Sequence, residues 1–521
     1  MPWSKEIQDG NETGKIRWEL VPYTRGLGLD IGCGAVKAFP HFIGVDNRKD
    51  TKLFGQAMDP DMTVPDATVL PMYSDGCMDF VFSSHTLEHL TDYKSALKEW
   101  WRVLKIGGYL CLYLPHKDFY PNCGSLNGNP DHKWDFLPQD IIDSIDGIAD
   151  GFDLVRNEDR NENIEYSFFQ VYKKTESGRE NSWSLPRPEK KAAVIRYGAF
   201  GDILQTASVC AGLKDEGFHV TLYCEPRGYE IAKTDPHIDE FIIQDQDQVP
   251  NSQLGPFWDY IGPKYDRMVN LCESVEGALL ALPDRMTYRW TQSARHRMMN
   301  KNYLEFAHSI AQTNYHKTKT MQKFWPTDEE VAWAKSERAK MPGVAVMWAL
   351  AGSSVHKVWH WIDVTFARLM LATDATVITV GDDKTKMLEA GWEKEGRVYK
   401  RSGAFTIRQS LALAQQCDIV VGPETGVLNS VAYEKNIGKI VMLSHSSVEN
   451  LTRDWVNTTS LWSKNTPCYP CHKMIYEWKY CVREEEGVAA CQKDIHPDQM
   501  WRALCKMIPA KNFTQLDKKV A

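Results

Sequence analysis

Apolar residues along this chain gather in short unbroken runs. Three of those runs lead into a glycine-containing loop followed by a helix-period segment. The first is Leu27-Gly28-Leu29-Asp30-Ile31-Gly32-Cys33-Gly34. The second runs from Ala193-Val194-Ile195 through Gly198 and Gly201 to Asp202. The third runs from Val344 to Trp348 and on into Ala351-Gly352-Ser353-Ser354. Continuous apolar strands alternating with helices predict βαβ units around buried parallel sheets. The first unit adds strands at Phe42–Val45, Asp79–Phe82 and Tyr109–Leu114. It also has an amphipathic helix carrying Ala96, Leu97, Trp100, Trp101 and Leu104, which Gly107-Gly108 is expected to stop. A terminal strand pair is expected at Gly151–Val155 and Tyr166–Tyr172. A polar, Pro-containing stretch between Lys174 and Lys190 reads as a linker, and a charged helical stretch from Pro326 to Pro342 as a second boundary. The predicted fold is therefore α/β: a Rossmann-like unit over 1–178, a linker over 179–189, and two further Rossmann-like halves over 190–335 and 336–521.

Composition narrows the class. The 521 residues are 43% apolar and 25% charged, near the soluble globular average, which excludes fibrous and low-complexity chains. A net charge of -8 argues against a broad nucleic-acid surface. No apolar run approaches the roughly 18 residues that span a bilayer. The opening Met1-Pro2-Trp3-Ser4-Lys5-Glu6 has no signal-peptide pattern, so a cytoplasmic protein is expected, including one peripheral to the inner face of a membrane. Of the 13 cysteines, nine are scattered through strand-like and helix-like segments, as small core residues are in a reducing compartment.

In the first unit, glycines at 32 and 34 allow a ligand to approach the main chain, and Asp46 ends the second strand, where an acid can hold ribose hydroxyls. Asp66-Ala67 follows, then Ser83-Ser84-His85-Thr86-Leu87-Glu88-His89 at the end of the fourth strand. This order resembles class I S-adenosylmethionine-dependent methyltransferases. The resemblance implies that Asp30, Gly32 and Gly34 line the methionine end of the cofactor, Asp46 the ribose, and Asp66 and Ala67 the adenine. Ser83 and His85 would form the floor near the sulfonium. His85, His116 and His132 are candidate bases, with an ordinary loop histidine as the alternative for each. Glu88 and His89 read equally well as polar residues at a helix start. Only eight residues, 35 to 42, separate Gly34 from Ile43, which predicts a stunted first helix, an open pocket and weak cofactor affinity.

The second and third units resemble the ADP-heptose:lipopolysaccharide heptosyltransferases, glycosyltransferase family nine. The resemblance rests on Arg196 to Thr206, on Ala351-Gly352-Ser353-Ser354-Val355-His356-Lys357-Val358-Trp359, and on Ser410 to Gly426. It implies a GT-B fold with a cleft and an inverting transfer. Asp202 would be the general base, and Ser353, Ser354, Lys357, Glu424, Thr425 and Gly426 would hold an ADP-heptose-like nucleotide-sugar donor. The bland alternative for Asp202 is a helix cap. Two departures stand out: Glu424 replaces the family's Asp, and Asn429 replaces a His. Asp245-Gln246-Asp247 reads as a solvated loop.

Cys468-Tyr469-Pro470-Cys471, with Cys481 and Cys491, has the ligand types for structural zinc; reduced core thiols or a labile disulfide are the alternatives. The expected partner is a saccharide acceptor, either a surface glycan or a lipid-linked glycan. Three function classes stay open: a bifunctional glycan-modifying enzyme, a methyltransferase with a degenerate sugar- or nucleotide-binding module, and a nucleobase-modifying enzyme.

Overall fold

The computed structural model describes residues 12–49, 51–53, 56–162, 164–177, 182–183, 190–476, 481 and 488–514. Most of the expected linker lies outside the described residues. The chain forms two compact units, one of residues 1–189 with 244–264, the other of residues 190–243 with 265–521.

The first unit is built on an eight-stranded sheet. Its strands are β1 (Gly28–Ile31), β2 (Ile43–Asp46), β3 (Met62–Thr63), β4 (Met78–Ser84), β5 (Leu104–Pro115), β6 (Phe152–Arg160), β7 (Ser167–Lys174) and β8 (Ser182–Trp183). Their order is β8-β6-β7-β5-β4-β1-β2-β3. β1 pairs in parallel with both β2 and β4, so the order reverses at β1, and a crevice opens beyond the strand ends there. β7 runs antiparallel to β5 and β6, which is the closing pair the sequence predicts.

One boundary differs from expectation. The amphipathic helix Tyr93–Val103 ends before the glycines, and β5 begins at Leu104. Gly107 (φ +84°) and Gly108 lie inside the strand, where its register with β4 shifts between Met78 and Phe80. A Cβ on Gly108 would sit 2.8 Å from the Asp79 carbonyl, so these glycines permit an irregular strand rather than end a helix.

Residues 244–264, expected in the second unit, belong to the first. Arg25 pairs with Asp245 at 3.0 Å, so Asp245 is not a free solvated acid. Gln248 donates to the Val21 carbonyl, and Phe257 packs on Trp18. The buried Glu19 carboxylate is held by Arg156, Arg160 and Lys264, with Tyr260 donating to it; these charges keep it ionised, well below the usual carboxylate range, against the pull of burial.

The second unit contains two all-parallel sheets, as the sequence predicts. The first comprises β9 (Lys191–Ile195), β10 (His219–Cys224), β11 (Glu240–Ile243) and β12 (Arg267–Asn270), in the order β11-β10-β9-β12. The second comprises β13 (Ala345–Ala349), β14 (Thr376–Val380), β15 (Val398–Lys400), β16 (Ile419–Pro423), β17 (Gly438–Met442) and β18 (Thr458–Leu461), in the order β15-β14-β13-β16-β17-β18. Its core carries Trp348 stacked on Trp359 at 6.0 Å, both fully buried, each worth on the order of 2–3 kcal/mol of apolar burial. The helix Asp328–Ala339 between the sheets starts at a capping box of Thr327 and Glu330.

Candidate active sites

A cavity of about 1410 Å³ opens beyond the ends of β1, β2 and β4. Residues 32–42 form turns with no helix, so the expected stunted helix is absent altogether. Gly32 (φ +74°) and Gly34 (φ +57°) line the cavity in the left-handed region. A Cβ on Gly32 would lie 1.9 Å from Thr86 Oγ1. Asp46 at the β2 tip accepts from the Gly34 amide at 3.0 Å and from the Arg48 amide at 3.1 Å. Asp66 and Ala67 form another part of the wall.

Two expected cofactor residues stand elsewhere. Asp30 is buried beneath the loop and accepts from the Ala38 amide at 2.8 Å; burial pushes its carboxyl up to about 7. Ser83 is fully buried and donates to the Ile31 carbonyl, while its neighbour Ser84 faces the cavity. Successive strand side chains point to opposite faces, so only one of this pair can line the floor.

His85, at φ +48°, lines the cavity and is hydrogen-bonded to Ser167 Oγ at 2.8 Å. Burial holds its imidazole well below the usual range, hence neutral. His116 does not line this cavity: it stacks on Phe119 at 4.1 Å and accepts from the Asp118 amide. His132 does line it, carried on a loop that the Lys133 amide ties to the Glu88 carbonyl at 2.7 Å. Glu88, expected as a helix-start residue, is fully buried on the same wall with neither carboxylate oxygen hydrogen-bonded, and burial raises it to about 8. No local pattern pairs residue 88 with residue 132, which is why the sequence missed this group.

In the second unit the loops after β9, β12, β13, β16 and β17 converge. Asp202 sits in the first turn of the helix Phe200–Asp215, accepting from the Ala199 amide at 2.8 Å and pairing with Arg196 at 2.8 Å. It therefore fills the cap role. Arg196 also grips Glu276 at 2.9 Å, a carboxyl that burial and the charge of Asp202 push upward. Glu276 was not anticipated; its one signal is a place just past a parallel strand. Lys357 is buried, donates to the Glu424 carbonyl at 2.9 Å, and feels the charges of Glu424, Asp202 and Glu276.

Other predicted donor residues have partners of their own. Ser354 is buried and donates to the Ile475 carbonyl, whereas Ser353 is exposed. Glu424 turns into the protein. It accepts from the Ser444 amide at 2.7 Å and pairs with His445 Nδ1 at 2.7 Å. Against burial, His445, Lys357 and the Ser444 amide hold it at about 2. Thr425 Oγ1 is buried without a hydrogen bond. Gly426 is needed for close approach: a Cβ there would meet Phe200 Cβ at 2.9 Å. Asn429 is an internal strut, bonded to the Thr425 carbonyl and to Gln322.

Cys468, Cys471, Cys481 and Cys491 all line one cavity of about 130 Å³, together with Arg295. Burial raises the Cys471 thiol to about 12.

Among solved structures the chain is similar to the glycosyl transferase family 9 protein from Veillonella parvula DSM 2008, at 12% identity, 61% of this chain, 97% of that chain and a TM-score of 0.44. It is also similar to E. coli ADP-heptose lps heptosyltransferase II, at 13% identity, 61% and 98% coverage and a TM-score of 0.41. A SAM dependent methyltransferase from Archaeoglobus fulgidus is similar at 20% identity, 32% and 97% coverage and a TM-score of 0.25. No curated protein matches the chain. Residues 29–112, the stretch holding Gly32, Asp46, Asp66 and His85, match the family model described as a methyltransferase domain.

Proposed function

We propose that the chain is a two-site glycan-modifying transferase. The first unit moves a methyl group from S-adenosylmethionine to a saccharide hydroxyl. The second transfers a sugar from a nucleotide-diphosphate donor to a saccharide acceptor, by a heptosyltransferase-like inverting reaction. The observation that carries the first half is the left-handed Gly32, where a Cβ would collide with Thr86, beside the carboxylate of Asp46. When bound, the cofactor supplies an electrophilic methyl on a sulfonium. Gly32 and Gly34 would admit its methionine end, Asp46 would hold the ribose hydroxyls, and Asp66 and Ala67 would meet the adenine. His85, fixed by Ser167, is the candidate acceptor of the hydroxyl proton.

In the second half, Asp202 is the proposed base toward the acceptor. Ser353, Thr425, Gly426 and Lys357 are the proposed donor contacts, with positive charge and amides stabilising the leaving diphosphate. The acceptor would be a surface or lipid-linked glycan at the inner face of a membrane; among the described residues no helix is long and apolar enough to cross one. The four clustered thiols are proposed to hold a structural zinc.

A second reading has its own support. Glu424 and Ser354 are both committed to internal partners, and Asp202 to Arg196. This favours a second unit that binds a sugar or nucleotide without turning it over. Incubation with labelled S-adenosylmethionine, a panel of nucleotide sugars and glycan acceptors separates the readings. Both labels should enter carbohydrate. Methyl label alone supports the binding-module reading, and methyl label only in protein or nucleic acid overturns the proposal.

A further inference from the structure

Glu88, His89 and His132 offer one ligand atom each, and these atoms all lie within 4.8 Å of one another on the wall of the methyl-donor cavity. His89 Nε2 and His132 Nε2 each stand 3.8 Å from the same oxygen, Glu88 Oε1. That carboxylate is fully buried, and neither of its oxygens accepts a hydrogen bond. A buried polar group left so costs several kcal/mol unless something absent from the chain itself meets it.

Two further features point to the same missing partner. The three side chains come from two segments locked together by the main-chain bonds from Lys133 and Trp134 to the Glu88 carbonyl, so the set is held rather than assembled on demand. His132 lies against the Tyr120 ring at 5.3 Å and the His89 ring at 4.7 Å, which limits its rotation.

We infer that Glu88, His89 and His132 bind a divalent first-row cation of the Mn²⁺ or Zn²⁺ type, with its remaining positions open to the cavity for oxygen ligands of the acceptor. Two imidazoles and one carboxylate suit such ions and disfavour Ca²⁺. Ligands on one ion at about 2.1 Å are roughly 3–3.5 Å apart, so side-chain rotations must close a present spacing of 3.8 Å to Glu88 and up to 4.8 Å across the set. The ligand set is incomplete on the cavity side, which is the arrangement of an ion that takes up a substrate oxygen. The class of ligand it favours is a hydroxyl-bearing acceptor; this part rests on the methyl-transfer reading, while cation binding does not.

Mn²⁺ is the probe, because it is read by its electron paramagnetic resonance and avoids the soft thiol cluster. Titration of the full chain should give one bound Mn²⁺. Glu88→Gln and His132→Ala should each weaken binding at least tenfold, with His89→Asn as a third variant. Far-ultraviolet circular dichroism and retained S-adenosylmethionine binding certify the fold of each. Absence of stoichiometric Mn²⁺ binding in the parent chain, or equal binding by folded variants, overturns the site. If Mn²⁺ binds but chelation leaves methyl transfer to glycan hydroxyls unchanged, the acceptor role is overturned and the cation site stands. If the parent chain binds Mn²⁺ but no S-adenosylmethionine, it is the methyl-transfer reading that fails.

Discussion

Arg196 holds Asp202 and Glu276 with one guanidinium, at 2.8 Å and 2.9 Å. Asp202 is thus a helix cap, an ion-pair partner and the proposed base at once. Asp202→Asn keeps an oxygen for the Ala199 amide but removes the charge. Glycosyl transfer should fall at least about 100-fold while stability drops by only about 1–2 kcal/mol. Unchanged turnover in a folded Asp202→Asn variant would remove it as the base and turn attention to Glu276.

Gly32→Ala should abolish S-adenosylmethionine binding, since both the left-handed backbone and the contact with Thr86 oppose a Cβ. The strain is about 1–3 kcal/mol, so the variant should remain folded. Calorimetric titration of both proteins checks this. The parent chain, with turns in place of a first helix, should bind weaker than micromolar.

Asp30 sets a pH dependence. Its carboxyl is raised to about 7 from an ordinary value near 3.8, so the folded form binds the proton more tightly than the unfolded chain. Its contribution is complete below the unfolded value and is lost as pH rises through about 7. Asp30→Asn imitates the protonated form. At pH 8 it should be more stable than the parent by about 2–4 kcal/mol, with the gap closing toward pH 4. Urea unfolding at several pH values would show a constant gap if burial of this carboxyl were not the cause.

Glu424 works in the opposite sense. Held at about 2, it stabilises the fold above the ordinary carboxylate range, and that stability is lost as pH falls from about 4.5 toward 2. Glu424→Gln removes the negative charge facing the buried Lys357 and should cost about 2–4 kcal/mol at pH 7. Below about pH 2 the variant and parent should converge. Acid titration of the melting temperature measures both.

For the cysteine cavity, metal analysis of purified protein should find about one zinc per chain, lost in Cys468→Ser with Cys471→Ser. Zinc content near zero in the parent would remove the metal reading of this cluster.

Parallel sheets were legible because buried parallel strands leave unbroken apolar runs, as at Val194 and Val346. The polar side chains at their ends were legible by loop and not by direction. Ser83 and Ser84 are adjacent in a strand covered on both faces, so no alternation tells which one meets the cavity. Glu424 sits at the anticipated place, yet its carboxylate turns toward Ser444 and His445, contacts that exist only once β16 and β17 pair. Glu88 and His132 meet through main-chain hydrogen bonds from Lys133 and Trp134 to the Glu88 carbonyl, which leave no periodic trace.

The excursion at 244–264 shapes how this polypeptide emerges from the ribosome. Glu19, made near the start, waits for Tyr260 and Lys264 before its charge cluster is complete. The amino-terminal unit therefore cannot finish when its own sheet has been synthesised, and a fragment cut at the linker would lack that latch. Dissection of the two proposed activities is better done by point substitution than by truncation.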